Sequence, residues 1–244
     1  MKQKHFLACT AFLTAMAMAP MASAAPVTPA YDSFGSLPAA TFGGSGIPND
    51  AVAIGTFKST DRRGRNPGTI TLGLTAHQRY GNPPLGNDGA GTFFADPGMN
   101  DGLVPGNKPQ GALWNFAWYV SGNNLSAYSF QLLYDTDAGA GTDESLLGSS
   151  NPVSFFDLLF GVSQDSQNLN FAMFGNSFDP MAEGEYSFVL RAIRGGQEAG
   201  RVAINVVVGQ PSEVPIPGAA ALFGIGLLGV GFSGRQKTRR SQKP

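Results

Sequence analysis

This sequence is poor in the residues from which most metal centres and nucleophilic sites are built. Its single cysteine is Cys9 and its two histidines are His5 and His77. Both Cys9 and His5 lie in a stretch that reads as a removable leader. Met1-Lys2-Gln3-Lys4-His5 supplies charge, residues 6–18 are largely apolar, and Ala22-Ser23-Ala24 is a small-residue A-x-A site. Residues 1–24 are therefore expected to be a signal peptide cut after Ala24. The remaining chain would hold one histidine and no thiol. That excludes disulfides, cysteine metal sites and multi-histidine zinc.

Charge is the second scarcity. Only 14% of residues are Asp, Glu, Lys or Arg, and they are unevenly spread. Residues 25–217 carry nine basic against seventeen acidic side chains, a net of −8, and the other seven basic residues sit in the two ends. An acidic body without clustered Lys and Arg lacks the electrostatic footprint of a nucleic-acid binder. Nucleic acid is excluded as a partner.

Outside the leader, one long apolar run is present, close to the C-terminus. Residues 219–234 are 16 positions without a charge. As a helix they would reach about 24 Å at about 1.5 Å per residue, the short limit for a hydrocarbon core about 30 Å thick. Arg235, Lys237, Arg239, Arg240 and Lys243 follow at once, a cluster that the positive-inside rule keeps in the cytoplasm. Residues 219–234 are thus expected to be a single transmembrane helix, with 235–244 as a basic stop-transfer tail. Ahead of them, Val214-Pro215-Ile216-Pro217 fixes an extended, accessible segment, because each proline locks its own φ and disfavours helix in the residue before it.

Taken together, the Pro-x-Pro element, the apolar helix and the arginine-rich end resemble the PEP-CTERM sorting signal of exopolysaccharide-producing Gram-negative bacteria. The residue between the prolines departs from that family's usual Glu, being Ile216. The resemblance implies a partner, an exosortase-type membrane transpeptidase that would cut near Val214-Pro215-Ile216-Pro217. It also implies a route: export through the inner membrane, transient anchoring by the C-terminal helix, then delivery to the cell surface or extracellular space. It covers residues 214–244 and says little about the body.

The body reads as β structure. Period-2 alternation recurs in residues 51–58, 69–76, 113–120, 126–134, 154–160, 168–174, 185–193 and 202–208, separated by Gly-, Asn-, Asp- and Pro-rich turns. Residues 154–160 also admit a short helix after Pro152. About eight strands predict an all-β protein, an antiparallel β-sandwich or jelly-roll-like domain over 51–208. Residues 25–50 read as an extended N-terminal segment and 209–213 as a linker.

Few positions in the body invite chemistry. His77 precedes the longest irregular loop, residues 77–112, but no Gly-x-Ser-x-Gly elbow accompanies it. Asp135, Asp137, Asp143 and Glu144 alternate on a Gly-containing turn and could supply oxygens to calcium, the one cofactor the sequence suggests. The stretch begins like an EF-hand loop, yet Gly139 takes the third ligand position and flanking helices are lacking. Trp114 and Trp118 share a strand face and could stack sugar rings, although the polar Asn115 on the other face favours burial. Asp61-Arg62-Arg63-Gly64-Arg65 is the body's basic cluster, read as a solvated hairpin tip or a contact for acidic polysaccharide. Asp96, Asp101, Asp157 and Asp179 offer no spacing that singles out a glycosidase pair.

The expected function is an exported, non-enzymatic cell-surface or extracellular-matrix protein. The alternative is a calcium- or carbohydrate-binding module delivered to the exopolysaccharide or biofilm matrix.

Overall fold

A computed structural model describes residues 25–80, 84–100 and 111–209. The leader 1–24, the sorting motif Val214, Pro215, Ile216 and Pro217, the expected membrane helix 219–234 and the basic Arg235, Lys237, Arg239 and Arg240 lie outside the described residues. Among the described residues no helix is long and apolar enough to cross a membrane.

The described chain is mostly β. Its strands are β1 (Ser33–Gly35), β2 (Val52–Ser59), β3 (Gly68–Gln78), β4 (Gly86–Asn87), β5 (Thr92–Ala95), β6 (Trp114–Gly122), β7 (Ser129–Tyr134), β8 (Gly148–Ser150), β9 (Val162–Gln167), β10 (Gly184–Arg194) and β11 (Gln197–Val208). They form a five-stranded sheet in the order β1-β2-β3-β6-β9 and a six-stranded sheet in the order β4-β5-β11-β10-β7-β8. All pairings are antiparallel except β5 with β11, which run parallel from Thr92 beside Asn205 to Ala95 beside Val208. The sheets meet face to face, as the alternation requires. Leu72, Leu74, Trp114, Phe116, Trp118 and Val120 from one sheet share a core with Leu132, Tyr186, Phe188, Leu190, Ile204 and Val206 from the other.

Aromatic rings tie the sheets together. Phe116 of β6 stacks on Phe188 of β10 with centroids 4.4 Å apart, and Trp114 meets Phe188 edge-on at 6.1 Å. Both phenylalanines are fully buried.

The middle strands are also apolar on their outward faces, and the N-terminal segment answers that need. Val27 packs on Leu133, Val189 and Ala203 on the outside of the six-stranded sheet. Ala30 exchanges backbone hydrogen bonds with Ala203, at 3.0 and 2.8 Å. The chain then crosses to β1, which pairs with β2. Beyond it, Ala40 and Phe42 cover Val52, Ala117 and Tyr119 on the outside of the five-stranded sheet. The expected extended segment 25–50 is thus a strap over both sheets.

Two expected strands are corrected. Residues 154–160 hold a helix, α1 (Phe155–Phe160), started by a capping box in which Ser154 and Asp157 bond reciprocally and ended by Gly161 at φ 70°. Residues 168–174 end in a 3-10 turn, Ala172–Phe174. There the Asn168 side chain accepts the Asn170 N–H at 3.1 Å, and this local bond competes with strand pairing. The edge strand β9, Val-Ser-Gln-Asp-Ser-Gln, takes the place expected of 168–174. It is too polar to carry an alternation signal.

Truncating the cross-sheet stack should be costly. Phe188→Ala is expected to lower the unfolding free energy by about 3–5 kcal/mol in a denaturant melt. Phe160→Ala, on an exposed face of α1, should change it by less than about 0.5 kcal/mol.

Candidate functional site

Three polar places stand out from the sheet surfaces. One is a cleft of about 670 Å³ on the outside of the six-stranded sheet, lined by Ala25, Pro26, Val27, Thr28, Ala30, Glu144, Ser145, Arg191 and Arg201. The strap forms one wall. The other holds an ionic cluster: Glu144 receives Arg191 Nη1 at 2.9 Å and Arg201 Nη2 at 2.7 Å. Arg191 Nε also donates to Gln131 at 2.9 Å, and Glu198 lies 3.6 Å from Arg201. These side chains are a quarter to a third exposed, so the pairs orient one another more than they stabilise the fold.

A second cluster is buried at the end of β3. His77 Nδ1 lies 2.9 Å from the Gln78 carbonyl, which can only accept, so Nδ1 carries the proton. His77 Nε2 then accepts from Ser166 Oγ at 2.7 Å, and Ser166 Oγ accepts from Asn115 Nδ2 at 2.9 Å. Asn115 Oδ1 in turn accepts from Arg79 at 3.2 Å and from Asn168 at 2.8 Å. The Arg79 guanidinium lies between the rings of Tyr80 and Phe171, 4.5 and 5.0 Å from their centroids. Serine bonded to a neutral imidazole is the geometry of a nucleophile and its base. Here, however, Ser166 Oγ is also engaged by Asn115, which is tied in turn to Asn168, and Asn168 holds backbone. Asn168 accepts from Ala112 N–H and donates to the carbonyls of Ala112 and Trp114. Apart from Arg79 Nε, which is left without a partner, the network stiffens the sheet edge. Burial, with the Arg79 charge adding to it, holds His77 below its ordinary 6.5 despite the Gln78 bond.

The third place is a groove of about 340 Å³ lined by Thr136, Asp137, Ala138, Ser177, Asp179, Ala182 and Tyr186. Burial, with Asp179, Asp135 and Asp137 nearby, pushes the Tyr186 phenol up to about 12. Asp135 is 3% exposed and accepts the Asp137 N–H at 2.9 Å. Burial pushes its carboxyl above the ordinary 3.8.

The four acids expected at a calcium site are not brought together. Asp137 lines this groove, Asp135 is buried, Asp143 caps a 3-10 turn by accepting Ser145 N–H, and Glu144 turns away to the two arginines. Among the described residues no group of three or more His, Cys, Asp or Glu is placed to hold a metal ion. The expected sugar platform is corrected as well. Trp114 and Trp118 are 2% and 8% exposed and belong to the core between the sheets, because their strand face is the inward one. Of the candidate glycosidase acids, Asp157 closes the α1 capping box and Asp179 accepts the Met181 N–H, while Asp101 lies outside the described residues. Ser166 and Asn168 were missed. Their only signal was polar residues placed where strand alternation demands none.

The chain matches no family model, no curated protein and no solved structure.

The His77 shift fixes the sign of a pH effect. The folded imidazole binds its proton more weakly than the unfolded one, so its contribution to stability is full above about pH 6.5 and is lost as the pH falls through the folded value. Between about pH 7 and about pH 5, wild-type protein should therefore lose melting temperature more steeply than a His77→Gln variant, whose amide does not titrate. Parallel slopes in thermal melts would refute the assignment.

Proposed function

We propose that this chain is an exported, non-enzymatic β protein of the cell surface or extracellular matrix, whose tail is the substrate of an exosortase-type transpeptidase. One observation carries the reading: the fold fills the interval between the two expected export segments. Pro26, one residue beyond Ala25, already forms a bridge with Asp143. At the other end Gly209 N–H donates to Ala95 at 3.0 Å, five residues before Val214.

The placement of the mature start supports the same reading. Ala25 lines the cleft that also holds Glu144, Arg191 and Arg201, so signal removal would deliver a new α-amino group to a charged wall. The loop acids support a scaffold role over catalysis. Asp88, Asp135, Asp137, Asp143 and Asp179 each accept a backbone N–H two residues further on. Carboxylates used in this way hold turns. In this reading the membrane is met through residues 219–234 and the exopolysaccharide is the surrounding medium.

Mass spectrometry of protein recovered from the native cell surface tests the proposal. The expected species begins at Ala25 and ends near the Pro-x-Pro element. Replacing Pro215 and Pro217 with Ala should leave the body folded and the tail attached. Wild-type protein that keeps Arg239 and Arg240 at the surface would overturn the exosortase assignment.

A further inference from the structure

One end of the sandwich is unlike the rest of the surface. α1 presents Phe155, Phe156, Leu159 and Phe160 at 70, 68, 67 and 78% exposure, a density of large apolar side chains that soluble surfaces rarely display. The helix is held in this pose. Its capping box and Gly161 fix both ends, Leu158 packs against the core, and the Gly122 N–H donates to Gly161 at 3.0 Å.

The β2–β3 hairpin lies at the same end and carries Arg62, Arg63 and Arg65. It is joined to the α1 side through the end of β6: Arg62 donates to the Ser126 carbonyl at 2.9 Å, and Asn124 donates to the Asn66 carbonyl at 2.7 Å. Asp61 spends its carboxylate on Arg63 N–H, Arg65 N–H and the Asn66 amide. Asp157 is likewise bound into the α1 cap. Among the described residues no carboxylate forms an ion pair with these three arginines. Six acids gather at the other end, where β11 finishes: Asp96, Asp135, Asp137, Asp179, Glu183 and Glu185 all sit in or beside the loops there, whereas Glu198, beside the β10–β11 turn at the basic end, is engaged by Arg201. An acidic body is thus polarised, with its basic charge beside its exposed apolar helix.

We propose that this end, α1 together with the 61–65 hairpin tip, is a docking surface for an anionic phospholipid membrane. Phe and Leu side chains enter the boundary between headgroups and acyl chains, while guanidinium groups meet lipid phosphates. The charge pattern decides among occupants. A second copy docked tip to tip would set two arginine clusters against each other. An acidic sugar chain could pair with the arginines and stack on a ring, but it would leave Leu159 and most of the apolar face in water. An anionic bilayer satisfies both halves of the surface and repels the acidic end.

The surface is independent of the tail, and its test must be as well, because residues 219–234 are apolar enough to hold the chain on any vesicle. Full-length protein carrying Phe156→Trp would be added to vesicles of equimolar phosphatidylglycerol and phosphatidylcholine with brominated acyl chains. The new indole should shift to the blue and be quenched. Leu159→Ser with Phe160→Ser should abolish the change. Arg62→Gln, Arg63→Gln and Arg65→Gln together should lower the ratio of docked to undocked indole on the vesicle about a hundredfold, at about fivefold per arginine. In the unsubstituted chain, backbone amides of residues 155–160 should gain hydrogen-exchange protection on the same vesicles. An indole that stays in water while the tail binds, or amides that stay unprotected, would overturn the proposal without touching the export reading. So would a response to soluble alginate alone, or one that depends on protein concentration without lipid.

Discussion

Everything in this structure depends on the need to cover sheets that are apolar on both faces. β6 shows the problem most clearly: Trp114, Phe116, Trp118 and Val120 point into the core, yet Ala117 and Tyr119 on the opposite face are buried too. Two sheets packed against each other bury only one face apiece. The N-terminal strap supplies the missing layers, with Val27 and Ala30 on one side and Ala40 and Phe42 on the other. The segment that follows the expected cleavage point is therefore part of the fold, and it forms a wall of the cleft that holds Glu144, Arg191 and Arg201.

That arrangement sorts the polar groups as well. Where the strap leaves the sheet face open, Glu144, Arg191 and Arg201 hold one another at the rim. Where the five-stranded sheet runs out beside β9, His77, Ser166, Asn115 and Asn168 close a buried network that fixes the strand ends. The two clusters differ in kind. The first is partly solvated, so its charges persist and are screened. The second is mostly buried, and burial holds the His77 imidazole below its ordinary pKa.

The strands with inward apolar residues on alternate positions were legible before any coordinates: β2, β3, β6, β7, β10 and β11 all overlap expected segments. The strands that escaped are short or polar. β9 carries no apolar alternation because it is an edge paired on one side only, and β4 and β8 are too brief to show any period. α1 falls in a segment that admits either a strand or a short helix, because six residues rich in Phe and Leu fit both patterns. Ser154, Asp157 and Gly161, as caps, decide for helix. The site readings fared worse than the strands. Trp114 and Trp118 share a face as expected, but which face meets water is set by the partner sheet. Asp135, Asp137, Asp143 and Glu144 are neighbours in sequence, yet the chain turns Glu144 toward Arg191 and Arg201, which come from strands far along the chain.

The sequence by itself determined the β character of the body, its acidity, and, within residues 25–217, the lack of thiols and of a second histidine, because composition and side-chain period are local properties. It also carries the two terminal segments from which an export route is inferred. Tertiary structure alone decided which faces are buried, that residues 25–50 wrap both sheets, and that Phe155, Phe156, Leu159 and Phe160 stand at the same end as Arg62, Arg63 and Arg65. Those outcomes rest on contacts between residues tens of positions apart, and no short-range pattern encodes them.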